Sequence, residues 1–118
     1  MAVEPSGRPE VLASGELQVS GIDLGAPTAA FTLTPDSLHL QAVQVATIPL
    51  RDIVRWDVIT GGLSPPRIDF AYREPDFNRR LMVEVRRMDV SGRSLAGKPA
   101  VIELGRLVQR LLDSSSAG

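Results

Sequence analysis

Between residues 16 and 87, apolar residues fall at every second position in seven short runs, and past Val90 they switch to helical spacing. Alternation puts apolar side chains on one face of a pleated strand, whereas recurrence at three and four residues makes a stripe along a helix. A chain patterned this way builds an antiparallel β structure with one buried face and then lays a helix against it. The predicted fold class is mainly β, with about seven antiparallel strands and one C-terminal amphipathic helix.

The predicted strands are Glu16–Asp23, Ala30–Thr34, Ser37–Val43, Val45–Leu50, Ile53–Thr60, Arg67–Arg73 and Arg79–Arg87. Pro35-Asp36 marks a turn, because proline presets φ and aspartate bonds its own following backbone. Gly61-Gly62 through Pro65-Pro66 is a loop, and Glu74-Pro75-Asp76-Phe77-Asn78 is hairpin-like. The last two strands show the clearest pattern: Ile68, Phe70 and Tyr72, then Leu81, Val83 and Val85, oppose charged neighbours. Ser91–Lys98 is a polar, glycine-containing stretch. Pro99 is a good first helical residue, and the helix it opens carries the stripe Val101, Leu104, Val108, Leu111 and Leu112. Such a helix is marginal alone and needs a surface to cover.

The chain's 118 residues suit one domain. We expect a lead-in at residues 1–13, a domain at 14–113 and a tail at 114–118. The absence of cysteine excludes disulfides, thiol nucleophiles and thiolate metal sites. No secretory pattern opens the sequence, and no run approaches the roughly 18 apolar residues of a membrane span, so the expected location is cytoplasmic with no transmembrane segment. Net charge is −1, with −4 from residues 1–66 (three arginines, seven acids) and +3 from residues 67–118 (ten bases, seven acids).

Seven strands followed by one amphipathic helix is an element order that resembles pleckstrin-homology (PH)-like domains. The stretch from Phe31 to Val58 also resembles the bacterial PH-like and GRAM-like pattern: a hairpin with a Pro-Asp turn, then an apolar-Pro-apolar strand leading through Asp52-Ile53 into the next strand. The resemblance implies a split barrel of two bent sheets with the helix plugging one end. Phosphoinositide-binding members gather Lys and Arg on and between the first two strands. Here Val19–Pro27 has no base and one acid, so the resemblance implies a scaffold for protein contacts and argues against specific phosphoinositide binding.

Gly92-Arg93-Ser94-Leu95-Ala96-Gly97-Lys98 has the glycine and lysine spacing of a phosphate-binding loop. Pro99 stands where that motif needs Ser or Thr for Mg²⁺, and no further strand follows to complete a βαβ unit. Arg93 and Lys98 are left as candidates for nonspecific anion attraction at a helix N-terminus. His39 is the single histidine, so no histidine metal cluster forms, and the serines lack a nucleophile elbow. Asp52, Asp57, Asp69 and Asp76 could supply a carboxylate pair, but turns and outer strand faces carry acids anyway. No enzyme activity, metal or cofactor is expected.

The remaining candidates are Arg79, Arg80 and Arg86 on the last hairpin, and Trp56, read with Phe70 and Tyr72 as a core or barrel-mouth anchor. Interspersed acids and scarce aromatics argue against nucleic acid. The expectation is a non-enzymatic interaction module that binds a protein segment or its own copy, by a strand edge or by the groove beside the helix. The alternative is a weak anion or anionic-membrane binder using Arg93, Lys98 and the last hairpin. A small-ligand pocket at the barrel mouth is a third possibility.

Overall fold

The strands pair in the order β4-β3-β2-β1-β7-β6-β5, so the first and seventh lie side by side at the centre and the fourth and fifth form the two ends. A computed structural model describes residues 10–117, with side chains to residue 114. The strands are β1 (Ala13–Ser20), β2 (Thr28–Leu33), β3 (Ser37–Gln41), β4 (Val45–Pro49), β5 (Ile53–Ile59), β6 (Arg67–Arg73), β7 (Asn78–Val90) and β8 (Arg93–Leu95). A single 3₁₀ turn, Leu50–Asp52, joins β4 to β5, and helix α1 spans Gly97–Ala117. The result is a curled antiparallel half-barrel followed by one helix. The predicted lead-in lies outside the described residues as far as residue 9, as does residue 118 of the predicted tail.

Curvature comes from two irregularities. Between β1 and β7, Glu16 pairs with Arg87 but Leu17 pairs with Val85, so Arg86 is an extra residue on β7. Such a bulge bends the strand and increases its twist. It lets one long strand serve β6 along its first half and β1 along its second. The bulge also resets the alternation: Leu81, Val83 and Val85 are buried before it, and Met88 and Val90 after it. The second irregularity lies between Ile53 and Arg55, where Val54 is the extra residue on β5.

The concave face holds the core. Leu17, Leu33, Leu40, Ile68 and Met88 are sealed from solvent in one buried cluster that also takes in Ala100, Val101, Leu104 and Val108 of α1. The expected helical stripe therefore buries against the sheet. Leu111 and Leu112, expected in that stripe, are only partly buried, because the sheet no longer covers them fully.

The expected fold class, about seven antiparallel strands and one C-terminal helix, is present, and three details differ. An eighth strand exists: Val90 pairs with Arg93 across the two-residue turn Ser91-Gly92, both with positive φ (51° and 78°). That geometry suits a tight hairpin. Helix α1 starts at Gly97, two residues before Pro99. β1 occupies Ala13–Ser20 rather than Glu16–Asp23, and Ala13 is buried opposite Leu33. No helix among the described residues is long and apolar enough to cross a membrane.

Candidate functional site

β5 has β6 on one side and no described strand on the other. Its register with β6 sets Trp56 opposite Phe70 and Val58 opposite Ile68 on the concave face, and Arg55 opposite Ala71 and Asp57 opposite Asp69 on the convex face. Trp56 is half-buried, its ring 5.2 Å from that of Phe70, and its indole N–H donates to the Gly105 carbonyl of α1 at 3.2 Å. Glycine at 105 makes this possible, because a β-carbon there would overlap Val58. Between the helix and the free edge of β5 there remains a groove of about 370 Å³.

The groove is lined by Leu50 and Arg51 of the 3₁₀ turn, by Ile53, Val54, Arg55 and Trp56 of β5, and by Gln109 and Leu112 of α1. Aliphatic side chains and Trp56 alternate there with exposed polar groups, and Arg51 and Arg55 make it cationic. Arg55 is paired with Asp57 at 2.6 Å, whereas Arg51 has no ion-pair partner among the described residues. Val54 and Val58 are 44% and 40% exposed, high for valines on a strand.

A second concavity, about 320 Å³, lies on the convex face between Ser20, Gly21, Arg55, Asp69, Arg80 and Met82. Of the hairpin arginines expected to act together, the structure separates three roles. Arg79 donates to the Gly21 carbonyl at 3.3 Å and to Glu74 at 3.4 Å, and lies 5.1 Å from the centre of the Phe77 ring, joining two loops. Arg86, the bulge residue, donates to Gln18 at 3.0 Å. Arg80 lines the second concavity together with Asp69.

Arg93 and Lys98 are exposed on β8 and in the first turn of α1. The glycine-rich stretch they belong to is a hairpin strand through Arg93–Leu95 paired to β7, so it does not wrap into a phosphate cradle. The β5–β6 register does bring two of the four candidate acids together, Asp57 opposite Asp69, but each is in an ion pair, with Arg55 and with Arg67 at 3.1 Å. His39 Nδ1 lies 3.2 Å from the Thr47 hydroxyl. Among the described residues, no three His, Cys, Asp or Glu side chains gather as a metal site would require.

Tyr72, next in the aromatic row after Phe70 at 6.5 Å, is buried, and its phenol is held above the usual 10.0, by burial first and by the nearby Glu74 charge second. Fold and site together define a β half-barrel with a helix laid across its concave face and an open groove at its terminal strand. Comparison with known proteins finds no match to a protein-family model or to a curated protein.

Of the groove residues, Trp56 was expected from the sequence. Leu50, Arg51, Val54, Gln109 and Leu112 were not, since each reads as ordinary strand, break or helix. Their convergence depends on β5 being last in the sheet order, which no local pattern reveals.

Proposed function

We propose that this chain is a non-enzymatic interaction module that accepts an extended protein segment as an added strand on β5, with side chains entering the groove beside α1. The observation carrying this reading is the unpaired edge of β5 lying directly against a groove of mixed aliphatic, aromatic and cationic lining. An open edge supplies main-chain hydrogen bonds for affinity, and an adjacent pocket supplies selection among side chains. The lining favours a segment with one large apolar residue for the space between Trp56 and Leu112 and an acidic residue near Arg51. The strand order and terminal helix agree with the PH-like split barrel that the sequence resembles, a scaffold consistent with protein contacts; fold alone does not decide function.

Trp56 is the single tryptophan, so its fluorescence reports occupancy of the groove. Peptides selected by display on the full chain are expected to shift that emission, and Val54→Glu is expected to weaken them at least about tenfold by placing a charge on the edge. Selected peptides that leave the emission unchanged and bind the Val54→Glu chain equally would overturn the reading.

The alternative anion-binding surface has fewer observations behind it. Arg79 and Arg86 already have polar partners, and Arg80 shares its concavity with an acidic residue, Asp69. Liposome co-sedimentation at low and high salt distinguishes it, since exposed charges lose their pull as screening rises. The cytoplasmic setting belongs to this proposal, and cell fractionation checks it.

A further inference from the structure

We infer that the segment taken up by β5 is β5 of a second copy of this chain, forming a two-fold symmetric dimer whose sheet runs continuously through both molecules; this rests on the edge-strand reading above. The ground is the order of residues along the strand. From Ile53 to Ile59 it reads Ile-Val-Arg-Trp-Asp-Val-Ile, the same residue types in both directions about Trp56 except that Arg55 is mirrored by the opposite charge, Asp57.

In an antiparallel pair, residues directly opposite share a face of the sheet. In a two-fold pair, each residue meets the one equally far on the other side of the axis. With the axis at Trp56, Arg55 faces the partner's Asp57 and Asp57 faces the partner's Arg55, both on the convex side. Val54 and Val58, the exposed valines of the edge, cover one another.

Neighbouring registers fail on charge or on face. An axis at Arg55 sets arginine against arginine, and one at Asp57 sets aspartate against aspartate. An axis between residues would oppose concave-facing and convex-facing side chains, which a one-residue slip forbids in a sheet with one buried face. On the concave side the axis passes Trp56, where the groove separates Gln109 and Leu112 of α1 from the strand edge. The bulge at Val54 bends β5 and confines the shared ladder to the centre of the strand, so the association is concentration-dependent rather than obligate.

The test is the mass of the full chain in solution by sedimentation velocity across the micromolar range. A species of twice the 12.7 kDa chain mass is expected to grow with concentration. Arg55→Asp and Asp57→Arg each turn both cross-strand pairs repulsive and are expected to weaken association at least about tenfold. Both side chains are half exposed, so circular dichroism should show each variant folded. Mixing the two variants in equal amounts makes every cross-strand pair attractive again and should restore the dimer, which the intrachain Arg55–Asp57 contact cannot do by itself.

A chain that stays at single mass throughout, or single variants that dimerise like the wild type, or a mixture that does not associate, would overturn the inference. Monomeric wild type that still binds selected peptides through Trp56 would remove self-pairing alone and leave the interaction-module reading standing.

Discussion

A β-carbon at position 105 would overlap the Val58 side chain, so the distance between α1 and β5 is set by the absence of one atom. Gly105→Ala gains about 1 kcal/mol of helix propensity but has to force helix and strand apart at a typical cost of about 1–3 kcal/mol. It also disturbs the Trp56 hydrogen bond to the Gly105 carbonyl. We expect a net loss near 1 kcal/mol in urea unfolding. On a Val58→Ala background the same change should be neutral or stabilising, a non-additivity that two unconnected sites would not show. Tyr72 makes a second prediction. The folded state holds its phenolic proton more tightly than the unfolded chain, whose value is near 10.0. The stability contributed by the neutral phenol is thus complete below that pH and is lost as pH rises through the higher folded-state value. Phenolate absorbance should titrate above 10.0, and Glu74→Gln should move the midpoint down, because it removes a charge that opposes ionisation.

At the scale of elements, the β2–β3 turn depends on Thr34, which is buried and whose hydroxyl accepts the Ser37 N–H at 3.1 Å and the Asp36 N–H at 3.4 Å. Thr34→Val keeps the shape and removes the acceptor. We expect a loss of about 1–2 kcal/mol with an unchanged denaturant slope. Along α1, Leu104→Ala should cost about 3 kcal/mol, while Ile102→Ala, two residues away and 43% exposed, should stay within about 0.5 kcal/mol; equal losses would contradict the way α1 faces the sheet. These elements differ in how plainly the sequence announced them. β6 and β7 were legible because each buries one face, so Phe70 and Leu81 stand out against Asp69 and Arg80. The rest of β7 was hidden by its bulge: Arg86-Arg87 breaks the alternation, and Met88 and Val90 resume it one residue out of phase. β8 is too short to show a period and owes its existence to pairing with that hidden half of β7. For the site, Trp56 carried its own signal as the single tryptophan on an alternating strand. The contacts of Arg79 could not be read locally, since the Gly21 carbonyl it grips is 58 residues away.

For the whole molecule, the strand order joins an early segment of the chain to a late one at the centre of the sheet. Gln18 and Arg86, bonded across β1 and β7, are 68 residues apart. Pairings of such separation close a long loop before they return any contact energy, so we expect refolding on the millisecond-to-second scale in stopped-flow fluorescence of Trp56; a microsecond phase with full amplitude would contradict it. The same arrangement bears on how the chain is made. At about 5–20 residues per second, roughly 3–14 s pass between the synthesis of Gln18 and that of Arg86. Through that interval Leu17 and Val19 have only β2 for a neighbour, and their other flank waits for a strand not yet translated. The nascent chain should therefore be a client of ribosome-associated chaperones until β7 emerges, and slowing translation should prolong its exposure rather than help it fold.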